Sequence, residues 1–252
     1  TKGYVIAINN AFSEERLVDY FSRRSGISRE QAEAQVRPIT LEVRYLFNEE
    51  VRSTWSMVPG LVMFTLMLSS PLLTALGIVR EKETGSIYNI YSSTVTRFEF
   101  LAGKLVPYVL ISWVNAVVLW MMATLWFGVP FKGNLLFFLA ASLVFVLSST
   151  GIGLLVSLLV RTQIAALLIT MIVSILPTIL YSGLIVPVSS LSPGSQIQAH
   201  LFPGMYYTNI VRGAFLKGVG LEVLWVDVLA LAVYAAILRI VGYWLFTKRP
   251  QS

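Results

Sequence analysis

Five long apolar stretches constrain most strongly what this chain of 252 residues can fold into. A transmembrane helix needs about 20 mostly apolar residues to cross roughly 30 Å of hydrocarbon. The stretches that reach this length are residues 57–79, 105–127, 135–160, 164–186 and 225–246. None has the strict alternation over about ten residues that is typical of a membrane β-barrel strand. The sequence therefore predicts an all-α polytopic membrane protein whose transmembrane domain covers residues 57–252.

The composition supports a membrane protein and excludes several kinds of functional site. Hydrophobic residues make up 56% of the chain and charged residues 13%, whereas a soluble domain carries about a quarter charged residues. There is no cysteine and one histidine, His200, which excludes disulfides, thiolate nucleophiles and metal sites built from several cysteines or histidines. A membrane-embedded enzyme would need intramembrane acids, a histidine pair or a metal cluster, and no such group lies near the middle of a span. The basic residues form no dense run, so we expect no nucleic-acid partner.

The loops between the spans indicate how the chain is oriented in the lipid bilayer. The whole net charge of +6 falls in residues 57–252. Seven Lys and Arg residues lie on one side of the spans and three on the other, and the more positive side is expected to face the cytoplasm. The seven are Arg80, Lys82, Arg97, Lys104, Arg161, Lys248 and Arg249, against Lys132, Arg212 and Lys217. We therefore expect a multi-pass membrane protein with residues 80–104 in the cytoplasm.

Residues 1–56 have the pattern of a small extracytoplasmic α+β region. A strand is predicted at residues 4–8, followed by two capped helices between Ser13 and Pro38 and by an alternating strand over residues 39–47. Such a region could have a packing role or form a docking surface for a periplasmic adaptor protein. With five spans Thr1 lies on the outer side, and the sequence shows no signal-peptide pattern. We therefore expect a sixth, N-terminal span that precedes Thr1.

The charged segment 80–104 interrupts the apolar part of the chain. Glu81 and Glu83 suit the first turn of a helix, and Thr96 with Glu99 forms a capping box for a second helix that continues into the second span. The apolar residues between them recur near helical spacing at Ile87, Tyr88 and Tyr91. A solvated loop would explain the basic residues but not the acids, the two capping signals and the aromatics. The pattern therefore favours a helix–turn–helix ledge that docks a cytoplasmic protein.

Two motifs in the membrane part resemble the type-2 ABC exporter permease family. The first is REKETGSIYNIYSSTVTRFEFLAGK, which is similar to that family's R-E-x-E-x-G-x-[IL] stretch and its later Gly-Lys. Its matching residues are Arg80, Glu81, Glu83, Gly85, Ile87, Arg97, Glu99, Gly103 and Lys104. The second is LFPGMYYTNIVRGAFLKG at residues 201–218, similar to the segment after the family's fifth span. There Phe202-Pro203 stands where Asn-Pro is commoner.

The resemblance implies that the chain is the permease of an ATP-powered efflux system, a multi-pass protein of the bacterial inner (plasma) membrane. Residues 80–104 would be the coupling segment, gripped by a separate cytoplasmic ATP-binding-cassette ATPase. The residues expected to couple are Arg80, Glu81, Glu83, Gly85, Ile87, Tyr88, Tyr91, Arg97 and Glu99. ATP and Mg²⁺ would bind the partner, because this chain has no P-loop pattern and we expect no cofactor in it. A second permease subunit, identical or homologous, would complete the substrate path at the subunit interface.

Polar residues within the spans are the candidates for that path. Thr170, Ser174, Thr178 and Tyr181 recur about once per helical turn and form a polar stripe on the fourth span, kinked by Pro177. We expect this stripe, with Ser70 and Thr74 of the first span, to face a subunit interface or the substrate path. Close helix packing is the alternative explanation.

Two further features lie outside these motifs. Prolines break residues 191–217 into helices too short to span, so we expect a re-entrant pair on the outer side with Pro203, Gly204 and Arg212 at an outer gate. Arg239 is the one deep charge, and we expect it to snorkel to the cytoplasmic face or to pair with a partner, with a substrate or gating role as the alternative. A scaffold that recruits a cytoplasmic partner without transporting remains the alternative function, and the transported substrate stays open.

Overall fold

The computed structural model describes residues 19–20, 23, 53–85 and 96–246. The chain divides into two compact units, residues 1–46 and 47–252. In the first unit residues 19, 20 and 23 are helical. The rest of the predicted α+β region, up to residue 52, lies outside the described residues. Its two strands therefore stay predictions. The expected sixth span would precede Thr1 and also stays a prediction.

The described part of the second unit is helical and contains no strand. Its helices are α1 (Ser53–Glu83), α2 (Arg97–Met121), α3 (Leu135–Leu159), α4 (Gln163–Tyr181), α5 (Pro193–His200), α6 (Pro203–Arg212) and α7 (Leu221–Leu245). Single π-helical turns extend α2 to Trp126 and α6 to Lys217. Helices α1, α2, α3, α4 and α7 are long and apolar enough to cross a membrane, which confirms the five predicted spans.

Helices α1 and α3 form the centre of the bundle, and α2, α4 and α7 surround them. Over half of the apolar window of α1 and of α3 is buried, against about a fifth for each of the other three. Small residues let the central pair approach closely. A Cβ atom added to Gly153 of α3 would lie 2.3 Å from the carbonyl oxygen of Pro71 in α1.

Local capping signals set several helix starts. The predicted capping box opens α2: the Glu99 backbone N–H donates to Thr96 Oγ1 at 3.3 Å, and the Thr96 backbone N–H donates to Glu99 Oε2 at 2.8 Å. Asn134 caps α3 by accepting from the backbone N–H groups of Leu136 and Phe137. Pro193 and Pro203 begin α5 and α6, where a missing N–H costs nothing. The prolines therefore start these short helices rather than only interrupting the chain.

The end of α1 differs from the prediction. Glu81 and Glu83 were expected in the first turn of a new helix, but α1 continues through both and ends at Glu83. Gly85 then takes a φ of 75°, the left-handed conformation that commonly follows a helix end. The prediction was wrong because the dipole of a helix favours an acid near its N-terminus even when the two are far apart in the chain. Glu83 lies near the N-terminus of α4, and Glu81 pairs with Lys104 instead.

The short helix α6 packs into the core on the side away from the charged end of α1. Tyr207 is fully buried, and its ring stacks on Phe145 of α3 with centroids 4.0 Å apart. Its hydroxyl group lies 2.8 Å from Ser142 Oγ. Burial raises the pKa of the Tyr207 phenol above its usual value, so the hydroxyl stays protonated. The predicted helical pair is therefore present, and its second member is a core element.

Candidate functional site

Three consecutive side chains at the end of α1 contact three other helices. Glu81 forms an ion pair with Lys104 of α2. The Nζ atom of Lys82 donates a hydrogen bond to the carbonyl oxygen of Ser157 in the last turn of α3. The Glu83 carboxylate accepts from Gln163, the first residue of α4, through its backbone N–H at 3.1 Å and its Nε2 at 2.8 Å. We call these five side chains, Glu81, Lys82, Glu83, Lys104 and Gln163, the helix-end cluster.

Helical geometry explains how adjacent residues reach different neighbours. Successive side chains on an α-helix point about 100° apart, so three in a row cover more than half of the helix circumference. Each charge also suits the helix end that it meets. A lysine is favourable at the C-terminal carbonyls of α3, and a carboxylate is favourable at the N-terminal amides of α4. The cluster therefore joins the ends of four helices at one level of the bundle.

The remaining residues of the predicted coupling segment fall into three groups. Arg80 is exposed, and its carbonyl oxygen accepts from the backbone N–H of Thr84 at 3.0 Å, which closes the last turn before Gly85. Arg97 and Glu99 lie exposed in the first turn of α2, next to Phe98, whose side chain is 70% exposed. Ile87, Tyr88 and Tyr91 lie outside the described residues.

The roles of Lys82 and Gln163 are not predicted by any motif in the sequence. Their partners are 75 and 80 positions away in the chain, so no local pattern names them. The sequence carries only a weak local signal, which marks the start of α4. Thr162 and Gln163 follow the short turn after α3, and Thr162 caps α4 by accepting from the backbone N–H of Ala165 at 3.3 Å.

The polar stripe on α4 faces inward within a single protomer. Thr170, Ser174 and Thr178 are at most 1% exposed, while Tyr181 is partly buried. Helix α4 lies antiparallel to α1, because Glu83 meets Gln163 at one end while Leu184, just after α4, contacts Gly60 at the other. A second subunit could not touch the three buried side chains unless α4 moved away from α1. The burial of these three side chains therefore favours the alternative of close helix packing, and their role at a subunit interface or in the substrate path stays a prediction.

Ser70 and Thr74 of α1 are also completely buried. The Oγ of Thr74 donates to the carbonyl oxygen of Ser70 at 3.0 Å. Three buried hydroxyl groups of the α1 and α4 faces make no hydrogen bond, those of Ser70, Thr170 and Ser174. Unpaired buried hydroxyls weaken the contact between packed helices, since each has lost its water without gaining a partner.

The three expected gate residues lie around the start and end of α6. Pro203 and Gly204 are buried in its first turn, where Gly204 faces Phe202 and Ser182. Arg212 is half-buried at its end and donates through Nη2 to the carbonyl oxygen of Leu184 at 3.2 Å. These contacts bring the end of α6 against the loop that follows α4. Whether they gate a path stays a prediction.

Arg239 does not snorkel as expected. Its Nη2 atom donates to the carbonyl oxygen of Leu147 at 3.4 Å. Leu147 is the middle residue of α3, with 12 helix residues on either side of it. The side chain therefore extends towards the middle of the bundle rather than towards the nearer end of α7, because side chains on a helix lean towards its N-terminus.

Comparison with known proteins finds similarity over most of the chain. Residues 3–244 match the model of a family described as ABC-2 family transporter protein. The probable multidrug ABC transporter permease YbhS of Escherichia coli is 32% identical over 211 residues, which cover 84% of this chain and 56% of YbhS. The probable multidrug ABC transporter permease YbhR of the same organism is 28% identical over 209 residues, with 83% and 56% covered.

A eukaryotic protein is also similar. ABC transporter G family member 20 of Dictyostelium discoideum is 27% identical over 199 residues, which cover 78% of this chain and 27% of that protein. The chain spans a little over half of the length of the two bacterial relatives.

Proposed function

The chain belongs to the ABC-2 family of transporter proteins. From this premise we propose that it is a permease through which a separate ATPase drives export across the bacterial inner membrane. The family match confirms the resemblance drawn from residues 80–104 and 201–218. Family and fold together make the chain a multi-pass membrane subunit of an ABC transporter. The proposed parts are the export direction, the ATPase partner that binds ATP and Mg²⁺, the second permease subunit and the role of residues 80–104.

The helix-end cluster is the observation that carries the coupling proposal. A cytoplasmic ATPase that moves residues 80–104 must pass that movement to the spans. Glu81, Lys82 and Glu83 lie at the start of this segment and contact α2, α3 and α4. A displacement of the last turn of α1 is therefore applied to four spans at once. The exposed Phe98 and Arg97, at the other end of the segment, are available to contact the ATPase.

The contact between α1 and α4 supports a position for the substrate path. Its polar residues are closed off inside one protomer, and three of their hydroxyls have no partner. Moving α4 away from α1 would hydrate those hydroxyls, which offsets part of the cost of opening. Glu83 joins these two helices at their charged end, so a movement of the coupling segment acts on this contact directly.

A second permease subunit and a periplasmic adaptor complete the proposed assembly. The outer face of α4 is apolar and exposed along its length, with Leu168, Ile172 and Leu176 each at least 54% exposed. Such a face suits lipid or a second permease subunit. The adaptor would meet residues 1–56, most of which lie outside the described residues, so it rests on the sequence pattern alone.

Comparing Glu83→Ala with Thr162→Ala tests the coupling. Each substitution removes one hydrogen-bond acceptor from the first turn of α4, but only Glu83 joins that turn to α1. Both variants would be assembled with the cognate ATPase in proteoliposomes. ATP hydrolysis would be measured beside ATP-driven movement of three dyes, the cation ethidium, the anion pyrenebutyrate and the neutral pyrenebutanol. We expect Glu83→Ala to hydrolyse ATP while dye movement falls to the level without ATP, and Thr162→Ala to retain both activities.

Two outcomes would contradict the proposal in different ways. Dye movement at the wild-type rate in Glu83→Ala would show that this contact does not couple. A wild-type complex that hydrolyses ATP and moves none of the dyes would favour a scaffold that only recruits its partner.

Cysteine labelling tests the orientation separately, because the chain has no native cysteine. Thr84→Cys and Lys132→Cys each place one thiol at an exposed position at opposite ends of the bundle. In intact cells a membrane-impermeant maleimide should label Lys132→Cys and leave Thr84→Cys unlabelled. Labelling of Thr84→Cys from outside would place the coupling segment on the wrong side and refute the function.

A further inference from the structure

A groove of about 620 Å³ lies on the face formed by α2, α3 and α7. Its walls are mainly aliphatic, and Phe98, Tyr243 and Trp244 line one end. Among the described residues that line it, Arg239 is the single charged one. The described helices leave the groove open on one side, since Val106 and Trp244 are 52% and 78% exposed. This volume is within the range of sites that enclose one drug-sized molecule.

The guanidinium group of Arg239 lies far from both ends of the span α3. Its hydrogen bond to the Leu147 carbonyl places it beside the midpoint of α3, about 18 Å from each end of that helix at 1.5 Å per residue. That long hydrogen bond uses one of the five N–H donors of the side chain. A charge at such a depth is costly and marks a functional site unless it is paired.

Arg239 has no acidic partner among the described residues 53–85 and 96–246. Residues 53–252 hold five acids. Three of them form an ion pair or a hydrogen bond with another side chain at the end of the bundle that carries the coupling segment. The other two lie on α7, 12 or more positions before Arg239, which is about 18 Å or further along the helix axis. The first three are Glu81, Glu83 and Glu99, and the other two are Glu222 and Asp227. The missing anion must therefore come from outside these residues.

We propose that the groove binds a compact anionic amphiphile dissolved in the bilayer. Its carboxylate, sulfonate or phosphate would accept two parallel hydrogen bonds from Arg239, a geometry that suits guanidinium groups. Its apolar body would lie against α2, with aromatic rings next to Tyr243 and Trp244. In a site of low dielectric such a pair is strong, and the anion satisfies donors that the protein leaves free.

Charge complementarity and depth select this occupant over two others. A second copy of this chain carries the same five membrane-side acids, so an identical partner subunit offers no free carboxylate at this depth. A phospholipid at rest keeps its phosphate at the membrane surface, roughly 15 Å from the bilayer centre, and would bring only its acyl chains to Arg239. The volume also suits one compact body better than a lipid with two chains.

The test uses dyes that share one ring system and differ in charge. The full chain in nanodiscs of zwitterionic phosphatidylcholine would be titrated with pyrenebutyrate, pyrenebutanol and the cation pyrenebutylamine. Binding is followed by energy transfer from tryptophan to pyrene. We expect pyrenebutyrate to bind about ten- to a hundredfold more tightly than pyrenebutanol, as a charge-assisted hydrogen-bonded pair provides, and the amine to bind most weakly.

Matched variants assign the preference to Arg239. Arg239→Met should bind both pyrenebutyrate and pyrenebutanol with the affinity of the neutral dye, and its retained pyrenebutanol binding reports an intact groove. Arg239→Lys should keep part of the preference. Arg161→Gln, which removes an exposed charge outside the groove, should match the wild type. Val106→Trp, which fills the groove and leaves Arg239 in place, should weaken binding of both dyes.

Two results would overturn the proposal. Equal binding of pyrenebutyrate and pyrenebutanol by the wild type would mean that Arg239 does not select an anion. The second result has two parts: Arg239 selects pyrenebutyrate over pyrenebutanol in phosphatidylcholine nanodiscs, but pyrenebutyrate no longer binds in nanodiscs of anionic phosphatidylglycerol. That result would assign the site to a lipid headgroup instead. No ATPase is present in this experiment, so its result is independent of the coupling proposal.

Discussion

Replacing Glu83 by Ala should loosen the first turn of α4 by an amount that the structure allows to be worked out. The carboxylate accepts from the backbone N–H and the side-chain amide of Gln163. Removing a side-chain acceptor of this kind from a helix N-terminus costs about 1 kcal/mol. The lost interaction with the helix dipole is part of the same contact and is of similar size, about 0.3–1 kcal/mol. We therefore expect the local opening free energy of this turn to fall by about 1 kcal/mol.

Hydrogen–deuterium exchange of the backbone amides of residues 163–166 measures that opening. At an RT of about 0.6 kcal/mol, a loss of about 1 kcal/mol makes exchange roughly fivefold faster. Amides in the middle of α4 should be unchanged, because opening at a helix end does not reach them. Thr162→Ala removes the other acceptor from the same turn and should give a similar increase. Glu222→Ala, at the exposed start of α7, is the control in which these amides should not change.

Exchange in Glu83→Ala that stays within twofold of the wild type would refute the reasoning. It would mean that the carboxylate does not hold the start of α4 and that α1 and α4 are joined only by packing. Equal exchange in Glu83→Ala and Thr162→Ala, with transport lost only in the former, is the combination that separates local capping from coupling.

Further substitutions test the packing between the spans. Gly153→Ala should destabilise the protein by about 1–3 kcal/mol in thermal unfolding in detergent, because its Cβ would lie 2.3 Å from the Pro71 carbonyl oxygen. Gly103→Ala in α2, whose Cβ would meet nothing within 4 Å, should be neutral or stabilising by up to about 1 kcal/mol, and the reverse order would contradict the packing of α1 on α3. Tyr207→Phe should cost about 0.5–1.5 kcal/mol by removing the hydrogen bond to Ser142, and adding Ser142→Ala should cost little more; full additivity would mean that the two hydroxyls do not interact.

The partners of Glu81 and Glu83 could not be predicted from the sequence. Glu83 does meet a helix N-terminus, but it is that of α4 at Gln163, which no sequence pattern predicted. The helix expected to begin at these acids was wrong, because α1 continues through them. The polar stripe shows the same limit. Its period was visible, but the pattern could not say whether the polar face of α4 meets a second subunit or α1 of its own chain.

The sequence by itself determined the five spans and the capping box of α2. An apolar run of about 20 residues must satisfy its backbone internally within lipid, and a cap joins residues three positions apart, so both are settled by neighbours in the chain. The tertiary structure alone decided that three adjacent side chains of α1 join three other helices, that the stripe is buried, and that Arg239 points to the middle of α3. These contacts link residues 23 to 92 positions apart and depend on which helix faces which. Helix faces are chosen by packing rather than by local sequence.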